Sequence, residues 1–244
     1  SPKKNITNEE FDKIKEQVGE QLAQDKNLYA DVFFIPKGCH WNDILSTSNN
    51  VGEKINDVFT KVTQANSPKL DGILDKIDFN DKDKLSDAAI SDLVNHYNVH
   101  KLGNEFIAGD MLGDAYEYLI GKFADDAGKK GGEFYTPHKV VELLVKILQP
   151  KERESIYDPA CGSGGILITA AQYIKSQGQD AEKVFLYGQE SVYNTYILAK
   201  MNMILHGFND AKIERGDTFE NPKHLQNGGL MKFDNVMANP PWNL

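Results

Sequence analysis

The stretch SIYDPACGSGG, residues 155–165, decides the fold class of this chain. Its first four residues predict a short strand, and its three glycines predict a tight turn in which missing side chains let a ligand approach the backbone. Helices and strands alternate after this turn, in the segments ILITAAQYIKSQG, KVFLYGQE, YNTYILAKMNMILHG, AKIERGD and FDNVMA. This alternation predicts an α/β domain with a doubly wound, mostly parallel, Rossmann-like sheet and right-handed crossovers.

The residues before this domain predict a different architecture. Residues 1–128 read as a helical bundle and residues 129–244 as the α/β domain, so we expect two domains. The last helix of the bundle is predicted to bury the stripe Leu112, Tyr116, Leu119 and Phe123. The first helix of the α/β domain, which lies between Pro137 and Pro150, is predicted to bury Val141, Leu144, Ile147 and Leu148.

The net charge of the chain argues against binding of duplex DNA by this chain alone. The formal net charge is −9, and Arg153 and Arg215 are the only arginines among the 244 residues. A protein that binds duplex DNA without a partner usually presents a basic face. If this chain acts on DNA, we expect another segment or subunit to supply the phosphate contacts.

The cysteine count and the hydropathy indicate a cytoplasmic protein. Cys39 and Cys161 are too few for a disulfide framework, which fits a reducing compartment. The sequence has no apolar run of the roughly 20 residues that span a bilayer, and its first residues lack the apolar core of a secretory signal. We therefore expect no membrane partner. His96 and His100 stand four residues apart, but they lack the glutamate of a metalloprotease helix, so no metal site is predicted.

Polar residues gather where four consecutive predicted strands end: Asp158 to Gly165, Gln189 and Glu190, Gly216 and Asp217, and Asn239 to Trp242. Open α/β sheets bind ligands beyond these carboxyl ends. The glycine turn lacks the patterns of phosphate-binding loops, so by itself it is also consistent with a plain strand-to-helix turn. The turn has no lysine to neutralise a phosphate, so it is better suited to a nucleoside ligand without phosphate. The Glu190 carboxylate can accept hydrogen bonds from both ribose hydroxyls, and Asp217 is placed to meet the adenine end.

The order of three motifs is similar to that of one family. GGEFYTP at residues 131–137, DPACGSGG at 158–165 and NPPW at 239–242 resemble the methylation (modification) subunit of type I restriction–modification systems, an adenine-N6 DNA methyltransferase family. The resemblance covers essentially the whole chain. It implies S-adenosylmethionine as the cofactor, with the Tyr-Thr-Pro segment covering its methionine moiety. The cofactor-binding residues that it implies are Glu133, Phe134, Tyr135, Thr136, Pro137, His138, Asp158, Ala160, Gly162, Ser163, Gly164, Glu190 and Asp217.

The resemblance assigns the chemistry to the turn Asn239, Pro240, Pro241 and Trp242. An adenine amino nitrogen is a poor nucleophile because its lone pair is delocalised into the ring. Two acceptors on its hydrogens, the Asn239 side-chain oxygen and the Pro240 carbonyl, favour a more reactive nitrogen as positive charge develops. The prolines fix the turn. Trp242, where the family more often has Phe, offers a face on which a base flipped out of the duplex stacks.

The resemblance also implies partners. Within the family this subunit works as a pair bound to one sequence-recognition subunit, and a restriction subunit joins for cleavage. The substrate is an adenine in a specific DNA sequence, and the helical domain over residues 1–128 is expected to face the partners or the DNA. The acidic composition agrees with DNA recognition that is delegated to another subunit.

Three other interpretations stay open. The first is a stand-alone adenine-N6 methyltransferase whose recognition domain lies beyond Leu244. The second is a protein-glutamine methyltransferase, which shares an Asn-Pro-Pro-aromatic turn, although the helical half and GGEFYTP argue against it. The third is a non-catalytic assembly module.

The short segment after the Asn-Pro-Pro-Trp motif predicts that the α/β domain is incomplete. Only two residues follow Trp242, whereas a doubly wound methyltransferase sheet needs further strands after the catalytic turn. We therefore expect an N-terminal fragment, with the sheet truncated at its C-terminal end and no activity by itself. The FDNVMA strand is expected to lack one neighbour, and an unpaired apolar strand edge favours self-association.

Overall fold

The computed structural model describes residues 18–19, 21–29, 33–74, 77–102, 106, 110–128 and 135–241. The chain divides into two compact units, residues 1–101 and 102–244. The sequence predicts this division at residue 128, so the helix just before that residue belongs to the second unit rather than to the first. The reason is tertiary packing, because this helix contacts a helix of the α/β domain. Within the described segments, no helix has both the length and the apolar character needed to cross a membrane.

The first unit is helical in its described part. A short 3-10 turn lies at Lys26–Leu28. Helices α1 (Trp41–Leu45), α2 (Val51–Ala65) and α3 (Asp87–Asn98) follow, and they contact one another. Ser86 caps α3 by accepting a hydrogen bond from the Ala89 N–H at 3.2 Å. The buried side chains of α2 and α3 supply the core of this unit: Ile55, Val58, Val62, Ile90 and Val94.

The second unit is an α/β domain. Its helices are α4 (Met111–Ala127), α5 (His138–Leu148), α6 (Gly165–Ser176) and α7 (Tyr193–Leu205). Its parallel strands are β1 (Ser155–Asp158), β2 (Phe185–Glu190), β3 (Lys212–Arg215) and β6 (Asn235–Val236). An antiparallel pair, β4 (Leu225–Gln226) and β5 (Gly229–Leu230), lies between β3 and β6 in the chain. A 3-10 turn at Ala181–Lys183 precedes β2.

The order of the parallel strands is β3-β2-β1-β6, which confirms the predicted doubly wound α/β fold. The chain moves outward from β1 through α6, β2, α7 and β3, and then returns to place β6 on the other side of β1. The strand order therefore reverses at β1, and open sheets of this kind bind ligands beside such a reversal. Three strands each place an apolar side chain in the core, since Ile156, Leu186 and Ile213 are each no more than 4% exposed.

Helix α5 buries only part of the predicted face. Val141 and Val145 are buried and Leu144 is half-buried. Ile147 is 68% exposed and Leu148 is 42% exposed, so these two assignments were wrong. The helix carries apolar residues on more than one face, so helical periodicity fits two stripes. Contact with α6 selects one of them.

Helix α4 differs from its prediction for a related reason. Three of the four predicted core residues are exposed: Leu112 at 39%, Leu119 at 46% and Phe123 at 64%. The buried stripe instead holds small residues beside Ile120, namely Gly113 and Ala124. A Cβ at Gly113 would come within 2.6 Å of the His206 ring, which follows α7. Close approach of α4 to α7 therefore selects the stripe that contains the small side chains.

Strand β6 is shorter than the predicted FDNVMA segment. It pairs with β1, and the Met237 N–H extends the pairing by donating to the Tyr157 carbonyl at 3.0 Å. Among the described residues its other side has no strand partner, as predicted, and Val236 is 54% exposed.

Candidate active site

The turn between β1 and α6 has a conformation that glycine adopts most easily. Gly162 and Gly164 have φ of 55° and 86°, in the left-handed region. At Gly164 a Cβ would also lie 2.6 Å from Met203 Cε, so α7 packs against the bare backbone. The Cys161 N–H donates to the Gln189 carbonyl at 3.0 Å. The turn is therefore fixed by two neighbouring elements, α7 and β2.

Glu190 fixes the same turn from the end of β2. Its Oε2 accepts a hydrogen bond from the Gly162 N–H at 3.0 Å, and its Oε1 accepts one from the Val192 N–H at 2.7 Å. Burial raises the pKa of Glu190, and these backbone hydrogen bonds act in the opposite direction. The Ser191 hydroxyl also donates to Oε1, at 3.5 Å, so Oε2 keeps a second lone pair for the predicted ribose contact. Sequence reasoning predicts a cofactor role for Glu190 and misses its structural one.

Asp158, the last residue of β1, is fully buried. Its Oδ1 accepts a hydrogen bond from the Ala160 N–H at 3.0 Å, whereas its Oδ2 has no partner among the described residues. Burial raises the pKa of Asp158 to about 7, and the nearby Glu190 carboxylate adds to the shift. A buried acceptor without a donor is costly. It fits a ligand that carries hydrogen-bond donors, as S-adenosylmethionine does.

Three motifs that are distant in sequence meet at one open pocket. The Tyr-Thr-Pro segment, the glycine turn and the catalytic turn all contribute to its wall. The predicted site residues on this wall are Tyr135, Thr136, His138, Asp158, Ala160, Gly162, Ser163 and Asn239. The pocket therefore lies at the carboxyl end of β1, where the strand order reverses.

Other predicted site residues are not part of this wall. Those that the structure describes elsewhere are Pro137, Gly164, Glu190, Asp217, Pro240 and Pro241. Those outside the described residues are Glu133, Phe134 and Trp242. The pocket thus brings the Tyr-Thr-Pro segment, predicted to cover the methionine moiety, together with the glycine turn and Asn239. Its wall does not include Glu190 and Asp217, which are predicted to meet the ribose and the adenine.

The end of β3 is also tied to the glycine turn. Asp217 Oδ1 accepts hydrogen bonds from the N–H groups of Phe219 at 2.8 Å and Glu220 at 3.0 Å, which closes a local turn. The next residue, Thr218, donates its hydroxyl proton to the Pro159 carbonyl. These bonds hold the predicted adenine-binding residue beside the glycine turn.

Asn239 joins the catalytic turn to the Tyr-Thr-Pro segment. Its Nδ2 donates to Thr136 Oγ1 at 3.2 Å. This orientation leaves the Oδ1 of Asn239 for another donor, as the predicted chemistry requires. Sequence reasoning assigns Thr136 to the cofactor and does not predict its bond to Asn239.

Glu117 is a wall residue of the pocket that sequence reasoning misses. It lies on α4, on the face that also carries Gly113 and Ile120. Burial raises the pKa of Glu117, while His206 and the Asn202 amide act in the opposite direction. Glu117 lies four residues after Gly113 and three before Ile120, so helical geometry puts its carboxylate on the stripe of small residues. This spacing is the sequence feature that could have identified Glu117 as a site residue.

Known proteins share this arrangement. The model of the N-6 DNA Methylase family matches residues 107–244, and that of the HsdM N-terminal domain matches residues 4–97. The chain is 33% identical to the type I restriction enzyme MjaIX methylase subunit of Methanocaldococcus jannaschii, over 93% of this chain and 40% of that protein. It is also 33% identical to the type I restriction enzyme HindI methylase subunit of Haemophilus influenzae, over 80% of this chain and 44% of that protein.

A solved structure is similar over nearly the whole chain. It is the type I restriction-modification system methyltransferase subunit from Streptococcus thermophilus, with a TM-score of 0.74 and 30% identity, and the match covers 97% of this chain and 49% of that one. The chain therefore spans less than half the length of these three relatives. The family match covers more than half of this chain and includes every residue on the wall of the pocket. The resemblance carried by the three motifs is thus confirmed, and the chain belongs to the N-6 DNA methylase family.

Proposed function

We propose that this chain is the N-terminal part of the methylation subunit of a type I restriction–modification complex. That subunit transfers a methyl group from S-adenosylmethionine to N6 of an adenine in a specific DNA sequence. The family membership supports this function, as do the relatives, which are named as type I methylase subunits. The chain spans part of each relative, so we assign the activity to the longer protein.

One observation carries the proposal: Asn239 and the glycine turn line the same pocket. The bond from Asn239 Nδ2 to Thr136 leaves Oδ1 as an acceptor beside that pocket. An amide oxygen held next to a cofactor site is what transfer to an amino nitrogen requires. A plain structural turn after β6 would not need an amide side chain in this place.

The chemistry follows from preorganised acceptors. When bound, S-adenosylmethionine supplies an electrophilic methyl group on its sulfonium. Asn239 Oδ1 and the Pro240 carbonyl accept the two amino hydrogens of the flipped adenine, and they stabilise the positive charge that develops on nitrogen. Trp242 stacks on the base, and Phe is expected to replace it without large loss, since stacking on an aromatic face is worth about 1–3 kcal/mol.

We assign cofactor binding to the predicted set around the pocket and the strand ends. Asp158 and the backbone of the glycine turn meet the methionine end, together with the Tyr-Thr-Pro segment. Glu190 accepts hydrogen bonds from the ribose hydroxyls, and Asp217 meets the adenine. The orphaned Asp158 Oδ2 supports this assignment, because it requires a donor that the described residues do not supply.

The proposed partners are DNA, a sequence-recognition subunit, a restriction subunit and a second copy of this protein, all in the cytoplasm. The net charge of −9 supports delegated recognition, because phosphate contacts require Lys and Arg. We infer that the helical unit over residues 1–101, which the sequence predicts to extend to residue 128, faces these partners or the DNA. The match of residues 4–97 to the HsdM N-terminal domain supports a separate role for this unit.

The test is methyl transfer to duplex DNA by the full-length protein, assayed alone and with a co-expressed recognition subunit. The proposal predicts transfer to adenine N6, at a specific sequence, when both are present. Robust site-specific transfer by the methylation protein alone would indicate a stand-alone methyltransferase instead. Transfer to a protein glutamine, or no transfer in either mixture, would contradict the proposal.

A further inference from the structure

Glu117 has no role in the proposed function, yet it lies on the wall of the cofactor pocket. It projects from α4 towards the first turn of α6, where a Cβ at Gly165 would lie 3.9 Å from its Oε1. The residue is half-buried, and burial raises the pKa of its carboxyl. A carboxylate that is partly removed from water is stabilised by a cation or by hydrogen-bond donors.

The wall of this pocket is acidic. Glu117 and Asp158 both line it, and its described wall residues include no lysine or arginine. The imidazole on the wall, His138, has its Nε2 3.0 Å from Glu142 Oε1, so it already faces a carboxylate. Against the effect of burial, the His206 imidazole, the Asn202 amide and His138 lower the pKa of Glu117. Asp158 Oδ2 is buried and has no such partner among the described residues, so the wall presents two carboxylates and no lysine or arginine.

These acceptors favour an ammonium group over other cations. The sulfonium of S-adenosylmethionine carries no N–H or O–H, so it cannot donate to Asp158 Oδ2. The α-ammonium group at the amino-acid end has three donors, enough for two carboxylates at once. A metal ion is a poorer fit, because the described part of the chain holds no group of three or more His, Cys, Asp or Glu side chains placed to bind one.

We propose that Glu117 is a cofactor-binding residue that holds, together with Asp158, the α-ammonium group of S-adenosylmethionine. This inference rests on the proposed function and adds α4 to the cofactor site. The helix is well placed to present a fixed carboxylate, because Gly113 packs it directly against the His206 ring. Both residues line the same pocket, and the ammonium group also supplies the donor that Asp158 Oδ2 lacks.

The test compares two ligands by calorimetry on the full-length protein. S-adenosylhomocysteine keeps the ammonium group, and its analogue without the α-amino group does not. Glu117→Gln is expected to weaken binding of S-adenosylhomocysteine about 10- to 100-fold, as the loss of a charge-assisted hydrogen bond implies. Its affinity for the analogue is expected to stay within about twofold of the wild-type value.

Asp126→Asn is the matched control. It removes the same charge from α4, at an exposed side chain that is not on the wall of the pocket. Neither affinity is expected to change in this variant. A second measurement, thermal unfolding without ligand, distinguishes an effect of the substitution on binding from an effect on stability. Because burial penalises the Glu117 carboxylate, Glu117→Gln is expected to leave the unfolding midpoint unchanged or to raise it.

Two results would overturn the inference while the proposed function stands. Equal weakening of both ligands by Glu117→Gln, with a lower unfolding midpoint, would show that Glu117 only supports the shape of the pocket. Unchanged binding of S-adenosylhomocysteine would show that Glu117 does not meet the ammonium group. A wild-type protein that binds neither ligand would instead overturn the proposed function itself.

Discussion

The glycine turn after β1 and the catalytic turn after β6 follow neighbouring strands, but the chain supports them differently. In the glycine turn, the N–H groups of Cys161 and Gly162 donate to residues at the end of β2, and residues 161–164 are buried. The catalytic turn follows a two-residue strand, and its prolines are exposed. Its described side-chain hydrogen bond runs from Asn239 to Thr136.

The two halves of the proposed site are therefore separable. The proposed cofactor half is enclosed by β1, β2 and α7, whereas the proposed catalytic half depends on a segment more than 100 residues earlier in the chain, since Asn239 and Thr136 are 103 residues apart. Variants of the first half are therefore expected to change binding and stability. Variants of the second are expected to change turnover.

The largest expected effect is on stability, at Asp158. Without ligand the Asp158 pKa is about 7, above its usual value of 3.8, so the unfolded state releases this proton at lower pH than the folded state. Stability therefore falls as pH rises between these two values, by up to about 1.4 kcal/mol per pH unit, and the full penalty remains above pH 7. Asp158→Asn is expected to raise the free energy of unfolding by at most about 4 kcal/mol above pH 7, with little gain near pH 4.

Urea denaturation at several pH values checks this prediction, with Asp234→Asn as the control. Hydrogen bonds from Ser155 lower the pKa of Asp234, so its contribution has the opposite sign. It stabilises the folded state at neutral pH and is lost as pH falls through the lowered pKa. A loss of stability in Asp158→Asn at pH 8 would contradict the account of the cofactor half. The same variant is expected to bind S-adenosylhomocysteine more weakly.

The next effect is on binding, at Glu190. Glu190→Ala removes the predicted ribose acceptor and the partner of the Gly162 N–H. The expected cost is about 1–3 kcal/mol of cofactor binding, or roughly a 5- to 150-fold loss of affinity. Glu190→Gln keeps the size of the side chain and one acceptor oxygen, so a smaller loss is expected. Calorimetry with S-adenosylhomocysteine measures both.

Glu220→Gln provides the matched control for these variants, because Glu220 is exposed in the turn after β3. It is expected to bind the ligand as the wild type does. Unchanged affinity in Glu190→Ala would exclude the ribose contact. An equal loss in all three variants would point to a general effect of negative charge rather than to a contact.

The smallest effect is expected at Thr136, where the two halves meet. Thr136→Val removes the hydroxyl oxygen that accepts the hydrogen bond from the Asn239 side-chain amide. One neutral hydrogen bond is worth about 1 kcal/mol, so kcat is expected to fall roughly 3- to 10-fold, and Thr136→Ser is expected to restore it. A fall in cofactor affinity with unchanged kcat would instead place Thr136 in the cofactor half alone.

The parts of the site that could be predicted are those that local sequence specifies. Alternating strands and helices predict the sheet, and the rule that ligands bind at strand ends leads directly to Asp158, Glu190 and Asn239. The faces of α4 and α5 could not be predicted in the same way. Both helices are apolar on more than one side, and contacts with α7 and α6 decide which side is buried.

The missed features of the site have a common physical cause. The Asn239–Thr136 bond and the position of Glu117 depend on packing between segments that lie far apart in the chain. Helical spacing places Glu117 on a stripe with small residues, but spacing alone does not identify that stripe as the buried one. The contact of Gly113 with His206 brings α4 against α7. It is a tertiary contact, and no pattern in the sequence near Gly113 predicts it.

The central claim is that Asn239 acts on the adenine, while the glycine turn and its neighbours hold the cofactor. The most direct test measures DNA methyl transfer and S-adenosylhomocysteine affinity for Asn239→Ala in the full-length protein with its recognition subunit. The account predicts that transfer is abolished while affinity stays within about threefold of the wild-type value. Near-normal turnover, or a loss of transfer that only follows a loss of cofactor affinity, would contradict it.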